Sequence, residues 1–287
     1  MNKTEIRNGR LLSLLSRYLN FHSDYIKEND IKEIAETGTG EEMAFGLLLA
    51  NAFGLDLEKN GEDIEFFKEY FPYIFHKLDI EEFKKNPYYK NIRFPERKIG
   101  NIEFGHRTYK PYEAFACGDM EEMPDGRLIP HIGFFTEEFR YPIILENGIE
   151  WMTVTPNEIR TLEEPEHKAH GKVLTFGLGI GYYPYMISLK NDVESIDIAE
   201  RNENTIELFR RHILPQFPNR QKVRLICGDA FSYMDTIRDG QYDFIFADLW
   251  HDAGDGKSLY LKTKEYEKKY PNTEFAYWIE KTIRCYL

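Results

Sequence analysis

The sequence predicts an α/β fold whose C-terminal part is a doubly wound parallel sheet. Three observations predict it. From Gly171 onward, short apolar runs alternate with helical stretches; Gly177, Gly179 and Gly181 directly follow the first run; and the second run ends on a carboxylate, Glu200. Strands alternating with helices imply right-handed crossovers and therefore parallel pairing. Glycines between a strand and its helix allow a sharp turn and let a ligand lie against main-chain atoms.

The elements follow in chain order. Residues 1–95 read as a helical region. Leu11, Leu12, Leu15 and Leu19 fall at helical spacing, residues 41–53 carry an apolar face, and residues 64–75 are aromatic-rich until Pro72 interrupts them. Residues 96–170 form a β-rich segment with a connecting helix. The runs IGNIEF, YEAFAC, IPHIGFF and YPIILENGIEWMTV are broken by Gly, Pro and Asp, and Asn147-Gly148 between two apolar runs is a hairpin signal. Thr155-Pro156-Asn157-Glu158 has the form of a helix start, with Thr155 as cap, Pro156 at the first position and Glu158 reaching back to complete a capping box. Trp151, Thr155 and Glu158 also lie just before the first strand, where they can border a ligand cleft, but the capping box is the preferred explanation of Thr155 and Glu158. Residues 171–287 form the ligand-binding domain. Its strands are expected near 172–177, 193–199, 222–227 and 242–248, with helices near 182–190, 203–213 and 230–237. After Asp248, residues 257–270 and 271–287 are both helical in pattern, so the sheet is expected to stop at four strands.

Composition limits the function. The chain has 287 residues, 42 % hydrophobic and 30 % charged, enough for one large domain or two modest ones. A net charge of -12 opposes wide phosphate contact and favours a small-molecule substrate over nucleic acid. No run of about eighteen apolar residues offers a membrane span. Cys117, Cys227 and Cys285 form no CxxC pair, which points to a reducing cytoplasm and to no cysteine-built metal site.

The glycines and the acid belong together. Glu200 closes the second strand nineteen residues after Gly181, beside the glycine turn in a doubly wound sheet. There a carboxylate can accept hydrogen bonds from both hydroxyls of a ribose. Asp197 competes, but it lies within the strand whereas Glu200 stands at its end. A dinucleotide fingerprint would need a glycine where Tyr182 stands, and bulky Tyr182 and Tyr183 oppose a pyrophosphate there. These two tyrosines are better explained as core than as a cover for a ligand.

The pattern G-x-G-x-G with an acid ending the next strand resembles the class I S-adenosylmethionine-dependent methyltransferases. "ICGDAF" resembles their third-strand motif, in which an Asp and the next backbone amide meet the adenine; those positions are Asp229 and Ala230. Asp229 can also cap the helix that follows, and both roles can coexist. "YDFIFADLW" resembles their fourth strand, ending in Asp248 near the site of methyl transfer. The resemblance covers residues 173–248 and implies a Rossmann-like sheet in order 3-2-1-4, C-terminally truncated, that binds S-adenosylmethionine.

It implies Gly177, Gly179, Gly181, Glu200, Asp229 and Ala230 as cofactor contacts, and Asp248 with His251 as the base or as groups that orient the acceptor. A polar loop and helix cap explain His251 and Asp252 equally well. Catechol-type O-methyltransferases end this strand similarly but add metal ligands beyond a later strand that is not found here, so no metal is expected. The expected activity is methyl transfer to a small molecule. The alternative is a spermidine-synthase-like aminopropyltransferase, although the Asp in that family's glycine motif is replaced by Ile180. A non-catalytic nucleotide-binding protein is a third reading, because the segments that shape an acceptor pocket are atypical. Either the N-terminal 170 residues or a second subunit in a homodimer is expected to cover the open sheet edge.

Overall fold

The computed structural model describes residues 2–287. The chain divides into two compact units, Met1–Glu82 with Thr108–Arg140, and Phe83–Arg107 with Tyr141–Leu287. No helix among the described residues is long and apolar enough to cross a membrane.

The first unit packs helices Lys3–Phe21, Glu28–Ile34, Glu41–Ala52 and Gly61–Tyr70 with short strands at Phe75–Lys77, Phe115–Ala116 and Ile132–Phe134. Helical spacing does what the sequence predicted, because Leu11, Leu15 and Tyr18 of the first helix are buried. Pro72 marks the change from the fourth helix into a tight turn at Phe71–Tyr73. The core is aromatic, with the Phe45 ring stacked on Phe134 at 4.8 Å.

In the second unit, strands β1 (Arg97–Ile99), β2 (Ile102–Tyr109), β3 (Phe139–Glu146) and β4 (Ile149–Thr153) form a sheet in that order. The Asn147-Gly148 turn joins β3 to β4 with both residues at positive φ (54° and 80°), as a hairpin of that sequence requires. Helix α1 (Pro156–Lys168) leads to the parallel sheet. Strands β5 (Gly171–Phe176), β6 (Val193–Glu200), β7 (Val223–Cys227), β8 (Phe244–Ala247) and β9 (Glu274–Tyr277) stand in the order β7-β6-β5-β8-β9, all parallel. Helices α2 (Tyr182–Ser188), α3 (Glu203–Leu208), α4 (Ala230–Met234) and α5 (Ala253–Glu267) connect them. Every side chain of β8, and of β5 from Val173 to Phe176, is buried, as central strands covered on both faces must be.

The sheet corrects the expected truncation at four strands. Residues 274–277 form a fifth strand, paired with β8 from Phe244–Glu274 to Ala247–Tyr277. The segment "EFAY" is short and begins with an exposed acid, so it has no β-branched run to mark it. Its hydrogen bonds to β8 outweigh the helical pattern around it. Beyond it only one short helix, Glu280–Arg284, follows among the described residues.

The predicted capping box at α1 is not formed. Thr155 occupies the cap position and Pro156 the first turn, but Thr155 makes no side-chain cap bond. The Glu158 side chain turns inward instead, and its Oε2 is buried without a partner among the described residues.

Candidate functional site

The carboxyl ends of β5, β6, β7 and β8 meet at one cleft, which encloses ≈ 1010 Å³ of space open to solvent. Main-chain bonds hold these ends together: Gly177 N–H donates to the Ala199 carbonyl (3.0 Å), Gly228 N–H to the Glu200 carbonyl (2.9 Å) and Asp248 N–H to the Phe176 carbonyl (3.1 Å). Gly177 turns the chain out of β5 at φ +89°, and a Cβ there would lie 2.3 Å from the Asp248 carbonyl oxygen. Only glycine satisfies both conditions. Gly177 and Gly179 line the cleft, whereas Gly181 is not part of its wall and starts α2 in the left-handed conformation.

Glu200 lines the same cleft. Its Oε2 accepts from Leu178 N–H (3.1 Å) and its Oε1 from Asn202 N–H (2.7 Å). The carboxylate is thus fixed in place, and each oxygen retains acceptor capacity. Asp197 is committed elsewhere: it is buried and takes two bonds from Arg224 and one from the Tyr242 hydroxyl. Its Arg224 pair accounts for it as a structural group. Asp229 and Ala230 also line the cleft. Asp229 caps α4 through Ser232 N–H (2.9 Å), and that backbone donor is the main reason its carboxyl is held below the ordinary Asp range.

Asp248 closes β8 and faces the cleft, where its carboxylate accepts no hydrogen bond from the described residues. Burial, and then the charge of Glu200, push its pKa up to about 7. Asp248 also borders a second, small cavity behind the first, between α1, α2 and the β5 and β8 strands. Glu158 lies on that cavity, and burial followed by the charge of Asp248 pushes its carboxyl well above the carboxylate range. Met152 borders both cavities and packs against Gly179, its Sδ being 1.9 Å from where a Cβ would stand.

The structure does not bring His251 into the cleft wall. It is about half exposed, its backbone N–H donates to Asp255, and its ring lies 5.9 Å from that of Trp151, which does line the cleft. Asp252 and Asp255 form a complete capping box for α5. Tyr182 and Tyr183 are core residues, both 5 % exposed, with Tyr183 packed on Phe246 at 4.2 Å between ring centres. Among the described residues, no group of three His, Cys, Asp or Glu side chains is arranged to hold a metal ion.

Sequence reasoning missed the wall opposite the glycines. Ile102, Ile144 and Glu146 come from β2 and β3, and Glu146 accepts from Asn101 (3.0 Å) and Asn202 (3.2 Å). The available signal was alternation: Ile144 and Glu146 lie two apart on one strand and so share a face. Glu146, Glu200, Asp229 and Asp248 bring four carboxyl groups to the cleft, against one cation, Arg201. Such a cleft favours cationic ligands.

No family model matches the chain. Among curated proteins it is 29 % identical over 92 residues to putrescine N-methyltransferase 1 of Nicotiana tabacum and equally to that of Nicotiana attenuata. The match takes in 31 % of this chain and 24 % of each relative, so it spans about a quarter of the curated relatives' length. Among solved structures it aligns with a candidate O-methyltransferase of Klebsiella pneumoniae (19 % identity, TM-score 0.28, 38 % of this chain and 47 % of that one). It also aligns with precorrin 8W decarboxylase of Methanobacterium thermoautotrophicum (21 % identity, TM-score 0.33, 43 % of this chain and 62 % of that one). In its strand-end motifs and in its curated relatives, this chain resembles the class I S-adenosylmethionine-dependent methyltransferases.

Proposed function

We propose that the protein is an S-adenosylmethionine-dependent methyltransferase whose acceptor is a small amine. The observation that carries the reading is the placing of a rigidly held Glu200, the Gly177 and Gly179 backbone and an Asp248 carboxylate that accepts no hydrogen bond from the described residues around one cleft. The residues present fit the cofactor. Glu200 would accept from the ribose hydroxyls, Asp229 and the Ala230 amide would meet the adenine, and the Gly177 and Gly179 backbone lines the cleft beside them. The carboxylate-rich wall suits the positive sulfonium. When bound, S-adenosylmethionine supplies an electrophilic methyl carbon.

The chain's own contribution is to attract, place and deprotonate the acceptor. An amine enters the acidic cleft as its ammonium form, drawn by Glu146, Glu200 and Asp248. Asp248 takes the ammonium proton, so that the N–H bond breaks, an O–H bond forms on the carboxyl and the nitrogen lone pair becomes free to attack. Holding that nitrogen in line with the methyl carbon is the larger effect. His251, outside the wall, is given no part in the proton transfer. The putrescine specificity of the curated relatives makes amines the first class to try, and the net charge of -12 disfavours nucleic acid. Ile180 stands where spermidine synthases carry an Asp, so methyl transfer is preferred to aminopropyl transfer.

The test is transfer of a labelled methyl group to panels of amines, phenols and carboxylic acids. Amines should be labelled, and Asp248→Asn should bind cofactor within a few-fold of wild type while turnover falls by about 10²–10⁴. Labelling of phenols alone, or undiminished turnover in Asp248→Asn, would contradict the proposal.

A further inference from the structure

Two acidic residues line one small cavity that adjoins the main cleft at Met152, Gly177 and Asp248. Glu158 comes from α1 and Asp248 from the end of β8, and the other polar groups on the lining are Thr153 of β4, Thr175 of β5 and Tyr182 and Tyr183 of α2. No basic side chain lines it. Glu158 Oε2 is out of reach of solvent and has no partner among the described residues. The cavity gives the centre of a water molecule ≈ 20 Å³, room for about one.

We propose that Glu158 is a positioning residue for the base: its carboxyl shares one proton with that of Asp248 through a single water in this cavity. The inference rests on the reading of Asp248 as the base. Two carboxyl groups on one cavity without a cation do not both ionise near neutral pH, so there the pair keeps a proton. Geometry decides which partner holds it. Glu158 borders only this small cavity, with one carboxyl oxygen out of reach of solvent, whereas Asp248 also lines the main cleft, where a cationic ligand reaches it. The neutral Glu158 then donates through the water to the Asp248 carboxylate, keeping it ionised and fixed on the cavity side while its cleft side stays open to the acceptor. This is a use of a buried protonated acid as a donor rather than as a base. Burial first and then the charge of Asp248 push the Glu158 carboxyl up, whereas burial first and then the charge of Glu200 raise that of Asp248. Of the neighbouring titratable groups, Tyr182 and Tyr183 stay protonated, since burial drives both phenols up, and Glu200 acts on Asp248 by its charge alone. When Asp248 has accepted a proton from the acceptor, both carboxyls are neutral, and that proton leaves Asp248 through the open cleft.

The experiment is a pH titration of ¹³C-labelled carboxyl groups by NMR on the full chain without cofactor, with the Asp248 signal assigned by its loss in Asp248→Asn. In the wild type, the Asp248 signal should show two steps, its own near neutrality and a second at higher pH as Glu158 ionises. In Glu158→Gln the second step should vanish, and in Glu158→Leu the first should also move up by about one pH unit, as the donor is lost. Glu158→Gln is isosteric and carries the test if Glu158→Leu does not fold. A wild-type Asp248 curve that shows a single step and is superimposable on that of Glu158→Gln would overturn the inference. Because no cofactor or substrate is present, that outcome is separable from a failure to transfer methyl groups, which would sink the base role of Asp248 but leave the joint titration standing.

Discussion

At the scale of single residues, the site places carboxyl groups where folding alone would not. A carboxyl with a raised pKa binds its proton more tightly in the folded protein than in the unfolded chain. Stability therefore falls as pH rises from the ordinary Asp range through about 7 for Asp248. Removing the charge should reverse this. Calorimetric scans of ligand-free protein at pH 8 should show Asp248→Asn melting above wild type by about 2–4 °C, a gain that disappears near pH 4. An equal or lower melting temperature at pH 8 would show that the charge is not strained. Glu200 behaves differently, because its carboxylate both faces the cleft and satisfies Leu178 and Asn202 N–H groups. Glu200→Ala should weaken cofactor binding by about 1.5–3 kcal/mol, and it should also lower folding stability by about 1–2 kcal/mol. Unchanged affinity in that variant, measured by titration calorimetry, would remove Glu200 from the ribose.

At the scale of elements, most of the parallel sheet was legible in the sequence because its central strands are buried on both faces. Runs such as VLTF and FIFA have no competing helical reading between their Gly and Asp boundaries. The fifth strand was not legible. Phe275 and Tyr277 alternate as strand residues do, but four residues with an exposed start give too little pattern to prevail over flanking helices. Of the two readings the sequence allowed for Glu158, the preferred capping box is the one that fails, for a related reason. The spacing from Thr155 to Glu158 fits a capping box, and only tertiary structure shows that the side chain turns to Asp248 instead. The glycine turn yields an element-scale prediction. A Cβ at Gly177 meets fixed backbone at 2.3 Å, while one at Gly179 meets the mobile end of Met152. Gly177→Ala should therefore lower the urea midpoint well beyond Gly179→Ala, which Met152 can relieve by moving. Equal midpoints would mean that the strand ends yield more easily than their hydrogen bonds suggest.

At the scale of the whole molecule, charge and topology agree. A chain of net charge -12 gathers carboxyl groups at the ends of its parallel strands, where an α/β sheet binds ligands, and the cationic cofactor and acceptor we propose match that charge. Tyr182 and Tyr183 fill the start of α2 with buried rings, where the dinucleotide fingerprint would place its third glycine. The central claim is that this cleft holds S-adenosylmethionine. Titration calorimetry with S-adenosylmethionine, S-adenosylhomocysteine, decarboxylated S-adenosylmethionine and NAD tests it most directly. Saturable binding of S-adenosylmethionine is expected, preferred over its decarboxylated form and lost or strongly weakened in Glu200→Ala, with no response to NAD. Tight NAD binding with no response to the sulfur nucleotides would contradict it.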